Sequence, residues 1–157
     1  MTHHPRRLFL KNTLATAVLL GAGSAGLIRA PWAFAAEWPK GAFESKKLDE
    51  AVKALFGTAE MTESPAVKIK APTQAENSAQ VQIQVTAELP NVEDIAVFVE
   101  KNPNPLVVHT SFAGAAGFFS ARMKMGQTSD VYAVVKAGGK LHVAKQNIKV
   151  TAGGCGG

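Results

Sequence analysis

Val81-Gln82-Ile83-Gln84-Val85-Thr86 alternates apolar and polar side chains without a break. Successive side chains of a strand point to opposite faces, so this stretch specifies a strand with one face buried and the other wet. The same period runs outward from it. Val67-Lys68-Ile69-Lys70 alternates on the N-terminal side, and strand-like runs follow at 95–100, 106–112, 118–125, 130–136 and 140–150. Turn residues separate them: Glu76-Asn77-Ser78, Pro90-Asn91, Asn102-Pro103-Asn104-Pro105, the glycines of 114–117 and 126–129, and Gly138-Gly139. The Gly-Gly pair between two runs marks a tight hairpin. Seven short strands at this spacing predict an all-β, immunoglobulin-like β-sandwich over residues 65–152. The usual inter-sheet disulfide is excluded, because the chain holds one cysteine.

Upstream, residues 36–64 read as a helical or irregular segment. Leu48, Ala51, Val52, Leu55 and Phe56 fall at i, i+3, i+4, i+7 and i+8, one stripe of a helix over 45–56. Ser45 is the expected N-cap and Gly57 the expected C-terminal glycine. A single short helix is marginal in water, so its stripe has to pack on the sandwich.

The first 35 residues hold Arg6, Arg7, Lys11 and Arg29 and no acid, whereas the remaining 122 carry 13 Lys and Arg against 12 Asp and Glu. The formal charge of +5 therefore belongs to the N-terminus, and the rest lacks the clustered basic face of a nucleic-acid binder. Arg6-Arg7-Leu8-Phe9-Leu10-Lys11, a Gly- and Ala-rich apolar run over 13–28, and Ala33-Phe34-Ala35 form a twin-arginine signal peptide with cleavage after Ala35. The run is too short and glycine-rich for a spanning helix, which needs roughly 20 mainly apolar residues. The expected location is the periplasm, with no membrane anchor in the mature form. Gly21-Ala22-Gly23-Ser24-Ala25-Gly26 fits a dinucleotide-binding fingerprint, but it follows no strand and leaves with the signal.

The chain ends Gly153-Gly154-Cys155-Gly156-Gly157, expected to be a flexible arm after the folded domain. Five extended residues span about 17 Å at ~3.4 Å each. A thiol on such an arm has no nearby histidine, cation or helix N-terminus to activate it. It makes a poor active site and a good carrier, activated by whichever enzyme the arm enters. The alternative is an exported structural or assembly module joined by an intermolecular disulfide through Cys155.

The terminal Gly-Gly-Cys-Gly-Gly, behind a twin-arginine signal and a small β domain, resembles the SoxY family of sulfur carriers. The stretch Lys101-Asn102-Pro103-Asn104-Pro105 and residues 122–135 are similar to it as well. The resemblance implies a covalent carrier of sulfur intermediates on Cys155, not an enzyme, in periplasmic thiosulfate oxidation. It implies pairing with the β-sandwich subunit SoxZ. It also implies service to the SoxAX cytochrome, the SoxB hydrolase and, where present, a sulfane dehydrogenase. No cofactor and no metal are expected. His109 and His142 lack further ligands at metal spacing. Met123 and Met125 read as core or interface residues, and Arg122 and Lys124 as a solvated opposite face.

Overall fold

The computed structural model describes residues 38–151. Two helices come first, α1 (Lys40–Glu44) and α2 (Leu48–Phe56). Nine strands follow: β1 (Thr62–Glu63), β2 (Val67–Lys70), β3 (Gln74–Ala75), β4 (Val81–Ala87), β5 (Val92–Val99), β6 (Leu106–Ser111), β7 (Gly117–Met123), β8 (Ser129–Ala137) and β9 (Lys140–Val150). The larger sheet has the order β1-β9-β8-β5-β6, with β3 also pairing β9, and the smaller sheet has the order β2-β4-β7. The predicted all-β sandwich is the observed fold.

Two apolar layers hold it together. Between the sheets, Val81, Ile83 and Val85 of β4, with Val67 and Met123, meet Ile95, Val97 and Val99 of β5, Val131, Ala133 and Val135 of β8 and Ile148 of β9. On the other face of the larger sheet, Ala96, Phe98, Leu106, Val134, Leu141 and Val143 receive Ala42, Ala51 and Val52 of the helices. The predicted helical stripe therefore lies outside the sandwich, and the molecule has three layers. This explains β5, whose residues Ile95 to Val99 are all fully buried. A strand covered on both faces reads as a continuous apolar run, whereas β4, wet on one face, reads as an alternation.

Two expectations need correction. Ser45 does not cap α2; Lys47 occupies that position, without a side-chain hydrogen bond. Ser45 instead ends α1, its Oγ donating to the Gly41 carbonyl at 2.8 Å, because a short helix precedes the one the stripe marks. The strand count rises from seven to nine through β1 and β3, each two residues long and each parallel to β9. Two residues carry no periodicity to read. Gly57 does close α2 in the left-handed conformation (φ 81°), donating its N–H to the Lys53 carbonyl at 2.8 Å. Gly138 and Gly139 both take positive φ (56° and 74°), as the β8–β9 hairpin requires.

The sheets differ in width. β2 packs over β9 and β8, and β7 over β5. Close approach of β7 depends on Gly117: a Cβ there would lie 2.8 Å from Val92 Cγ2 and 2.9 Å from both Cβ and O of Ala87. The outermost strand of the larger sheet, β6, thus projects beyond the smaller one. Its inner-face residues Val108 and Thr110 are only partly buried as a result.

Candidate functional site: the C-terminal end of the long strand

Cys155 and its glycines Gly153, Gly154, Gly156 and Gly157 lie outside the described residues, as do Arg6, Arg7, Ala33 and Ala35 of the signal. The described chain reaches Thr151, and so shows how the arm is rooted. β9 is the longest strand, paired with β8 from Lys140 to Ile148. Its last residues are bound from two further directions. Val150 N donates to Thr128 Oγ1 at 2.9 Å, and Lys149 N donates to the Thr73 carbonyl at 2.9 Å. Both N and Oγ1 of Thr151 lie 3.3 Å from the Ala75 carbonyl. Backbone amides that would fray at a chain end are thus held up to Thr151, the last described residue.

Loops gather at this end. Asn102 Nδ2 donates to the Lys124 carbonyl and Gly126 N donates to Asn102 Oδ1, each at 2.9 Å. Asn104 Nδ2 donates to the Phe43 carbonyl at 2.7 Å, and Lys46 Nζ donates to Asn104 Oδ1 at 3.1 Å. The Asn-Pro-Asn-Pro loop therefore acts as a clamp: its first asparagine holds the β7–β8 loop and its second holds α1. Ser129, buried at the base of that loop, accepts from Lys101 N at 3.0 Å and donates to the Asp130 carbonyl at 2.9 Å. The sequence marked Asn102 and Asn104 as turn residues; their bridging role depends on partners about 20 and 60 positions away.

His109 Nε2 lies 3.0 Å from Asp94 Oδ1, and Ser111 Oγ donates to the same oxygen at 2.6 Å. This is no nucleophilic triad, because the serine bonds the carboxylate rather than the imidazole. The His109 ring meets Phe56 edge-on at 6.3 Å and so braces the end of α2. Met123 and Met125 are buried in the inter-sheet core, and Arg122 and Lys124 are exposed. Among the described residues no group of three or more potential metal ligands comes together, and no helix is long and apolar enough to cross a membrane.

Among the described residues, electrostatic perturbation stands out at two places. At the hairpin end, Lys136 Nζ lies 2.9 Å from Glu93 Oε2. The hydrogen bond from Lys136, then that from the Gly139 N–H, holds the Glu93 carboxyl below its ordinary value; Glu93 in turn raises Lys136. Burial, then the neighbouring Glu100 and Asp130 charges, raises the Tyr132 hydroxyl.

The family described as sulfur oxidation protein SoxY matches residues 52–155, an interval that ends on the lone cysteine. The structure of the sulfur carrier protein SoxY from Chlorobium limicola f. thiosulfatophilum is similar at 39% identity and a TM-score of 0.62, covering 71% of this chain and 97% of that one. A superoxide reductase (neelaredoxin) variant from Ignicoccus hospitalis is similar at 23% identity and a TM-score of 0.49, covering 55% of this chain and 80% of that one. No curated protein sequence matches the chain.

Proposed function

The chain belongs to the SoxY family of sulfur oxidation proteins, and from that membership we propose that it carries sulfur intermediates covalently on Cys155 during thiosulfate oxidation in the periplasm. One observation carries this reading. The family match runs to Cys155, and that residue is the chain's only thiol, set between two glycine pairs at the terminus. A thiol on a thin arm suits attachment and delivery; activation belongs to the enzymes visited.

In this reading the chain pairs with SoxZ before the folded pair is exported by the twin-arginine route. SoxAX joins thiosulfate to Cys155: the thiolate sulfur and the outer sulfur of thiosulfate form a disulfide bond. The two electrons released pass to the cytochrome. SoxB then hydrolyses the sulfonate from the Cys–S–S–sulfonate adduct, with water supplying the oxygen of sulfate. A sulfane dehydrogenase, where present, oxidises the sulfur left behind. The chain itself supplies no catalytic group.

The test is intact mass measurement on protein from thiosulfate-grown cells. Adducts of about +112 and about +32, both lost on reduction, are expected from thiol–disulfide chemistry. Cys155→Ser should leave fold and partner binding intact and end turnover. A variant that still turned over would overturn the carrier reading. One that kept turnover but lost a covalent dimer on non-reducing gels would favour the assembly module instead.

A further inference from the structure

We propose that the side of the sandwich where β6 overhangs β7 is the seat of the partner subunit, whose edge strand adds to the small sheet beside β7 and covers the inner face of β6. The inference rests on the heteromeric pairing proposed above and gives it a location on this chain.

Three observations support it. The small sheet stops one strand short of the large one on this side, so Val108 and Thr110, which share the inner face of β6 with the core, have no strand of their own opposite them. β6 and β7 are both edge strands, each paired on one side only. Natural sheets protect such edges with proline, inward-pointing charge or a covering segment. β6 contains neither proline nor a charged residue, and Phe118 on β7 is 53% exposed. Open depressions lie at both ends of this side, one of about 390 Å³ reaching from Val107 to Lys124 and Gly126, the other of about 330 Å³ between Phe112 and Val92.

Charge selects the occupant. Residues 106–124, which comprise β6, the loop after it, β7 and the residue that follows β7, include Arg122 and Lys124 and no acid. Among the described residues neither cation forms an ion pair. A second copy would bring two more cations to the same seam, whereas a different subunit bearing carboxylates beside its edge strand would neutralise both. The size is adequate. Strands of about six residues run about 20 Å. Together with a sandwich about 10 Å between sheets and its flanking side chains, they offer about 500 Å² per partner, or about 1,000 Å² in total, the lower bound for a specific interface.

The experiment measures binding of the purified mature chain to SoxZ by calorimetry at low and high salt, with melting temperature recorded for every variant. Val108→Glu, which puts a charge on the uncovered face, and Arg122→Glu, which reverses an exposed cation, should each weaken binding at least tenfold at low salt. Arg122→Glu should leave the melting temperature unchanged, so its result stands even if Val108→Glu folds poorly. The loss from Arg122→Glu should shrink at high salt. Wild-type affinity for a folded Arg122→Glu variant together with either Val108→Glu or Thr110→Lys would overturn this inference and leave the carrier reading intact. If the wild-type chain and SoxZ do not associate, the pairing falls and the location with it. If the chain instead self-associates and these variants abolish that, the occupant is a second copy and the proposal is wrong.

Discussion

The two lateral sides of the sandwich are finished in different ways. On one, the segment from β1 to β3 crosses between the sheets: Thr62 and Glu63 pair with β9, Val67 to Lys70 pair with β4, and Gln74 and Ala75 return to β9. Gln146 Nε2 adds a bond to the Ala71 carbonyl at 3.0 Å, and Ser64 N another to the Val143 carbonyl at 3.1 Å. On the other side, β6 and β7 are joined by a loop and share no ladder. The side that holds the C-terminal end of β9 is thus sealed by the chain itself. The opposite side is left for another chain to finish.

The sharpest way to break this contrast is at Gly117, the close contact that seats β7. Gly117→Ala places a Cβ against backbone and side chain at under 3 Å, and overpacking of that kind costs about 1–3 kcal/mol. Urea unfolding should show the loss, and amide exchange should rise in β7 before β9. A cost below 0.5 kcal/mol would mean that β7 is seated by something else.

Asn102→Ala should come next. It removes two hydrogen bonds that tie the end of β5 to the loop after β7, an expected loss of about 1–2 kcal/mol. Gln146→Ala on the sealed side removes one bond among several and should cost about 0.5–1 kcal/mol. If denaturant melts rank the two in the opposite order, the sealed side is the more fragile one.

The smallest effect concerns pH. Glu93 is held below its ordinary value, so the stability contributed by its bond with Lys136 is full above the carboxylate's unperturbed pKa and is lost as the pH falls through the lowered one. Lys136→Met should therefore melt slightly lower than the wild type at pH 7, with the gap closing in acid. Both groups are partly exposed, so the shift is expected to be no more than a degree or two. A gap that widened in acid would contradict the assignment.

The sequence makes β4 legible because one of its faces is wet, and it makes the hairpin legible because glycine takes two successive positive φ angles without a Cβ penalty. It hides what is made by distant partners. The two-residue strands β1 and β3 exist because β9 offers them an edge, and no local pattern announces that. Ser45 is a good cap by type, and which helix it caps depends on α1, five residues without an apolar stripe. The overhang of β6 is a difference in width between two sheets, a quantity no single strand contains. The arm is the opposite case: its meaning lies in composition at a chain end, so Cys155 is read from sequence and only its root from structure.

The ladder beneath that root has a mechanical consequence. A force applied at Thr151 and directed outward along β9 loads the nine β8–β9 residue pairs together, in shear, with β1 and β3 bracing the far edge. Pairs loaded in parallel share a force that would open a hairpin one rung at a time. A pull on the end of β9 is thus met by the longest strand as a whole.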